Sequence, residues 1–400
     1  MKSIVSAPDG KSFLFPFILI TSLFLMWGLA HGLLDVLNKH FQEAFTMSKA
    51  QSGLVQFSTY IAYGLMSIPA GLFMRRFGYK KGIISGLMLY AVGAFAFLPA
   101  AWFSSATPFL VALFVVACGL CMLETAANPY STRLGPAESA ARRINLSQSF
   151  NGLGWVLGPL IGGQLILGAA EGNDLALATP YLILGSATLL IAILFAFIRL
   201  PEMKEAGGDD DKAGVAAHPI WKYRHFVLAV IAQFLYCAAQ TGIFSFFINY
   251  VMELDASINK ILASRLLAFG GMGLFMIGRL SGSFIMAKFA PHKLLLFYAT
   301  MCAALMAIVI MQLGQVSLYA LYLSFFFMSI MFPTIFALGL ARMGAHTKKA
   351  SSFIVMGVAG GAFAPMLMGY IGEQSMAVGF VVPLLCFLYI AFFGAKGYKM

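Results

Sequence analysis

The chain is 400 residues long, 60% hydrophobic and only 10% charged, with a mean hydropathy of +0.87. A soluble globule carries about 25% charged residues, so this composition excludes one and specifies an integral membrane protein. The formal charge of +11 gathers on no single basic face, which argues against a nucleic-acid partner, and the five cysteines, an odd number all inside apolar runs, build no disulfide framework or metal-site spacing.

Crossing the hydrocarbon takes roughly 20 apolar residues. Twelve such stretches are predicted, beginning near residues 13, 52, 82, 106, 144, 178, 225, 260, 294, 317, 350 and 376. The first, Phe13 to Leu34, is too long for a signal-peptide core and lacks a small-residue cleavage pattern, so it reads as a retained span. With both termini on the cytoplasmic side, 22 of the 26 Lys and Arg residues fall in inner segments, leaving Lys39, Lys49, Lys260 and Arg265 outside. That asymmetry follows the positive-inside rule and an even number of spans.

The expected fold class is an all-α membrane protein of twelve transmembrane helices in two pseudo-symmetric six-helix bundles. The amino-terminal bundle is placed at 1–200, a polar cytoplasmic linker at 201–220 and the carboxy-terminal bundle at 221–400. An internal repeat supports the division. Ser22 to Glu43 aligns without a gap on Ala232 to Glu253, and Met74, Phe77 and Lys81 match Met286, Phe289 and Lys293. Pro129, Leu134 and Gly135 likewise match Pro333, Leu338 and Gly339. Parallel six-span repeats of this kind hold substrate between the halves near the bilayer midplane.

In span one, His31 and Asp35 are four residues apart and share a helical face. An intramembrane acid is costly, and by default it marks an ion or substrate pathway. Asp35 is therefore read as the proton-coupling acid, against the plainer reading of an interfacial acid one turn from Lys39. His31 is either a hydrogen-bonded core histidine or a relay that tunes Asp35. Trp27, and in span two Tyr60 and Tyr63, offer aromatic faces for a pyranose ring or simply pack.

In span four, Glu124 lies one turn before Asn128, and Pro129 frees backbone carbonyls at depth. Glu124 is read as functional, with a structural ion pair to Arg133 or Arg142 as the alternative. Asn145, Gln148 and Asn151 line one face of span five, and amides both donate to and accept from sugar hydroxyls. Their alternative is hydrogen bonding between helices. Span seven carries Gln233, Tyr236 and Gln240 on one stripe, with Asn249 further along. Both acids belong to the first half alone, since Asp35 aligns with Ser245 and Glu124 falls opposite Met328. Proton chemistry is thus expected in the amino-terminal bundle. No Lys or Arg is placed deep in a span, so an anionic substrate would lack its usual partner and a neutral polar solute is expected.

The segment Gly71-Leu-Phe-Met-Arg-Arg-Phe-Gly-Tyr-Lys resembles the cytoplasmic loop signature of the major facilitator superfamily, with Arg75 where that pattern has Asp. Together with Leu123-Glu-Thr-Ala-Ala-Asn-Pro-Tyr130, Asn145-Leu-Ser-Gln-Ser-Phe-Asn151 and Met328-Ser-Ile-Met-Phe-Pro-Thr-Ile-Phe336, it makes the chain similar to the fucose:proton symporter family. The resemblance implies that Asp35 matches the family's first-span proton-coupling acid. It further implies that Glu124 matches the fourth-span acid at the sugar site, and Gln148 and Asn151 the fifth-span sugar contacts. His31-Gly-Leu-Leu34 departs from the family's Asn-rich flank, which leaves glucose, galactose, fructose and N-acetylglucosamine as open as fucose.

The expected activity is symport of a neutral monosaccharide with a proton, in the cytoplasmic membrane of a bacterium, by a monomer that needs the lipid bilayer, the sugar and the proton and no other cofactor. A proton-driven drug exporter and a passive sugar facilitator of the same fold are the alternatives. No catalytic constellation suggests an enzyme.

Overall fold

The computed structural model describes residues 5, 12–103, 105–135, 140–168, 175–198, 219–286, 289–341, 343 and 347–399. Residues 201–218 of the expected linker lie outside this set. In a bilayer every backbone N–H and C=O must be satisfied within the protein, and a run of apolar residues does so as a helix. The first half supplies span one (Leu14–Ala44), span two (Leu54–Phe77), span three (Tyr79–Phe95), span four (Ala106–Arg133), span five (Ala140–Leu165) and span six (Leu175–Phe197). Span seven (Arg224–Leu254) opens the second half. Span eight is Lys260–Leu266, a π-helical stretch Leu267–Met272 and Gly273–Met286. Span nine is Pro291–Ile310, and span ten is Gln315–Met328 with Met331–Leu340. Span eleven is Thr347–Met356 with Gly360–Ile371, and span twelve centres on Val381–Phe392.

Eleven helices among the described residues are long and apolar enough to cross a membrane. The twelfth is span five, a 26-residue helix at its expected place. Its amides and the Arg142-Arg143 pair depress its hydropathy without shortening it.

The expected basic loop over Gly71 to Lys80 is almost entirely helical. Span two runs through Phe77 and span three starts at Tyr79, leaving Gly78 alone as the corner. Gly78 adopts φ +83°, a left-handed conformation that costs glycine little. Its N–H donates to the Met74 carbonyl at 2.8 Å. Arg76 and Lys81 lie over the Phe77 ring at 5.3 and 5.9 Å, so one aromatic side chain gathers the cations of the corner.

Contacts divide the chain into two compact units, Met1–Leu37 with Leu65–Lys204, and Asn38–Gly64 with Glu205–Met400. Inside the first unit, small residues set the closest approach. Gly28 and Gly32 of span one face Gly154 and Gly158 of span five, and a methyl group at Gly158 would sit 2.5 Å from the Gly32 Cα. This is the small-xxx-small geometry by which membrane helices pack closely. Thr21 and Ser147 join their hydroxyls across the same seam at 3.1 Å.

Inside the second unit, span seven is the axis against which spans ten, eleven and twelve pack. Phe244 stacks on Phe325 at 4.7 Å, and Gly360 lies against the Phe234 carbonyl. The segment Asn38–Gly64 is latched here by polar bonds. Lys49 pairs with Glu253 at 2.6 Å, Lys260 with Glu43 at 2.8 Å, and the Asn249 amide donates to Gln42 Oε1 at 2.6 Å. These bonds, with the packing of Gly53, Phe57 and Gly64 against span eleven, join Asn38–Gly64 to the carboxy-terminal residues, across the sequence boundary.

Candidate functional site

In the first unit, the span one–span five seam fixes the surroundings of the acid. Asp35 is 3% exposed and His31 5%. His31 donates from Nδ1 to the Trp27 carbonyl at 3.1 Å, one turn back. Its ring is flanked by Trp27 at 6.1 Å and Trp155 at 5.4 Å between centroids. Trp27 itself is half-buried. The two indoles and the backbone bond hold the imidazole in one orientation, a turn away from the carboxyl.

Glu124 and Asn128 are half-buried on span four. The Asn128 side-chain oxygen accepts from Gln148 Nε2 at 3.4 Å, so two predicted sugar contacts on different helices meet. Both keep further donors and acceptors for a ligand. Asn151 is buried, and its amide donates to the Phe24 carbonyl at 3.3 Å. That bond ties span five to span one, the alternative to a sugar contact for this amide. The side chains of Asn145, Arg133 and Arg142 lie outside those described.

In the second unit, Tyr236 is fully buried and its hydroxyl donates to the Met328 carbonyl at 3.0 Å. Span ten is interrupted just after Met328, between its two helical segments, so the tyrosine satisfies backbone at the break. Gln233 is buried with its Oε1 lacking any hydrogen-bond partner, while Gln240 is half-buried. Tyr60 and Tyr63 lie in this unit, tilted at 35° with ring centroids 6.5 Å apart, and Tyr60 packs against Gly361.

One expectation is overturned. Arg279, placed by the sequence reading in an inner loop, lies inside span eight, on the helix Gly273–Met286. Its Nε is buried without a hydrogen-bond partner, and its guanidinium sits 4.8 Å above the Phe275 ring. A cation does therefore lie within a span, and the lack of one no longer argues for a neutral solute. The signal was present in the chain: the apolar pattern continues through Leu280 to Met286, past the point where the span was ended. Asn38 and Gln42 were also missed, although they extend the stripe of His31 and Asp35 at spacings of three and four. Gln42 Nε2 donates to Asn38 Oδ1 at 3.1 Å and to the Ser52 hydroxyl at 2.9 Å.

Chemically, a buried carboxyl in a membrane-crossing helix, an amide pair and no metal-binding cluster among the described residues suit the movement of a polar solute with an ion. Residues 16–366 match the pattern of the major facilitator superfamily. The chain belongs to that superfamily. It is 39% identical to the L-fucose-proton symporter of Escherichia coli strain K12, covering 97% of this chain and 94% of that one. It is 37% identical to a glucose/galactose transporter of Brucella abortus, covering 97% and 95%. At this identity and coverage it is a member of the fucose:proton symporter family, a family of transporters and not of enzymes. The crystal structure of the E. coli fucose:proton symporter aligns with a TM-score of 0.72 at 37% identity, over 98% of this chain and 100% of that one. A D-xylose-proton symporter aligns at 0.75 but only 16% identity, a likeness of fold alone.

Proposed function

We propose that this superfamily member is a proton-coupled symporter that imports a neutral monosaccharide of the fucose, glucose or galactose class by alternating access. The single observation that carries the coupling is Asp35, almost fully buried in span one of a transporter. Protonation of its carboxyl removes the charge that opposes reorientation of the loaded carrier. Glu124, with the Asn128–Gln148 amide pair near it in sequence and across the helix seam, links sugar occupancy to proton release. Gln233, Tyr236 and Gln240 with Trp27 and Tyr60 complete the recognition groups, and His31 orients or tunes Asp35. The proton is the coupling ion, and no other cofactor enters the scheme. The halves 1–200 and 221–400, joined by the 201–220 linker, move as the two bundles. Both termini face the cytoplasm in a bacterial inner membrane, and the unit of transport is the monomer.

The driving force suffices. One charge crossing the membrane is worth roughly 2.3 kcal/mol per 100 mV, enough for more than tenfold accumulation. The test is uptake of labelled L-fucose, D-glucose and D-galactose into vesicles with an imposed pH gradient, with and without a protonophore. Accumulation that follows the gradient and alkalinises the side from which sugar leaves supports symport. Accumulation blind to both treatments removes it, equilibration without accumulation identifies a facilitator, and opposite proton flow identifies an exporter.

A further inference from the structure

We infer that Arg279 is a specificity-determining residue for the sugar, and that its Nε–H and the Gln233 Oε1 together grip one ring hydroxyl. The inference rests on the neutral-monosaccharide reading above. Four observations converge. Arg279 lies within a span, where an ionised side chain is costly and rarely ornamental. No carboxylate among the described residues pairs with it, and its buried Nε donates to nothing. Gln233, fully buried, presents the complementary defect, an acceptor oxygen with no donor. Finally, the two flank one side chain: Gln233 precedes Tyr236 by one turn of span seven, and Arg279 follows Gly278, which abuts the Phe326 carbonyl and the Ser329 hydroxyl on either side of Met328, whose carbonyl takes the Tyr236 hydroxyl.

The surrounding residues hold both groups ready. Phe244 packs edge-on against Phe275 at 5.7 Å, and Phe275 forms the shelf beneath the guanidinium. Tyr236 is tied to the Met328 carbonyl, so it spaces the pair without serving as the missing partner of either. Gln233 is confined by span eleven, where a methyl group at Gly357 would meet its side chain at 3.1 Å. An unpaired donor and an unpaired acceptor beside one tyrosine match a hydroxyl, which accepts one hydrogen bond and donates another. A planar guanidinium also fits vicinal hydroxyls in a way that an ammonium does not. A site that hydrogen-bonds a hydroxyl discriminates strongly against the analogue lacking it, because its own polar groups are then left unpaired.

The test uses the full chain in proteoliposomes. Wild type is first given L-fucose, D-glucose and D-galactose, and the sugar that accumulates is then compared with its monodeoxy derivatives. For Arg279→Gln, KM should rise about 10- to 100-fold with the maximal rate changed less than about threefold, the loss of a charged hydrogen bond to substrate. One deoxy derivative should be weak for wild type and suffer no further loss in the variant, whereas the others lose as the parent sugar does. Gln233→Ala should lose discrimination at the same hydroxyl. If Arg279→Gln does not fold, Arg279→Lys, which keeps the charge and lacks the Nε donor, reads the same split. A KM within about twofold of wild type in a folded variant, with deoxy discrimination intact, overturns the assignment and leaves the symport reading standing. A wild type that accumulates none of the three sugars removes both.

Discussion

The surroundings of Asp35 in the first contact unit and of Tyr236 in the second treat polar atoms in a membrane differently. In the first, polar side chains beside the acid are satisfied by neighbours: His31 by the Trp27 carbonyl, Asn151 by the Phe24 carbonyl, Gln148 by Asn128. Buried atoms with no hydrogen-bond partner occur in both units, Ser67 Oγ and Tyr181 OH in the first and Gln233 Oε1, Ser245 Oγ, Arg279 Nε and Tyr322 OH in the second, but among the described residues only around Tyr236 do an orphan donor and an orphan acceptor flank one side chain. The first unit spends its bonds on holding a titratable group in place. Around Tyr236 a donor and an acceptor stay in reserve, which costs stability and suits the ligand contact inferred above.

Substitutions at each unit break or sharpen that contrast. The largest effect is expected from Asp35→Asn, which removes the proton site without removing the amide. Accumulation against a gradient should fall to equilibrium, while exchange of labelled sugar across the membrane partly survives. A mutant that still concentrates sugar would take Asp35 out of the mechanism. Next comes Gly158→Ala in the seam that seats the acid. The added methyl meets backbone of span one, and overpacking of this kind costs about 1–3 kcal/mol, read as a lowered midpoint of thermal unfolding. Gly71→Ala is the control, since nothing lies within 4 Å of its added carbon, and its midpoint should hold or rise.

Glu124→Gln should weaken sugar binding by about tenfold, near 1.4 kcal/mol, measured as lost protection by sugar against heat. Unaltered protection would confine Glu124 to structure. The smallest effect belongs to the second unit's latch. Glu253→Gln breaks a part-exposed ion pair with Lys49 and should cost at most about 1 kcal/mol, less at high salt. A loss several times larger would mean that the latch, and not the packing on span eleven, holds Asn38–Gly64.

Much of the architecture was legible because hydrophobic runs and a half-chain repeat are properties of sequence alone. Asp35 and Glu124 stood out for the same reason, as charges against an apolar ground. What escaped is informative. Arg279 was counted with the cations of an inner loop, and charge counting cannot tell a helix's last two turns from the segment after it. Periodicity set Asn151 on one face with Asn145 and Gln148 but names no neighbour, so its bond to the Phe24 carbonyl could not be foreseen. The Gln42–Asn249 pair joins residues 207 apart, a closeness that no local pattern records. The basic corner was read as a loop because basic residues suggest solvent, whereas Arg76 and Lys81 stay both exposed and helical, the chain turning on Gly78 alone.

The internal repeat places Glu43 opposite Glu253, and each carboxylate grips a lysine belonging to the other repeat, Lys260 or Lys49. One contact has been written twice inside the second unit, so dissolved salt, which weakens both ion pairs alike, slackens the seating of Asn38–Gly64 at two points at once.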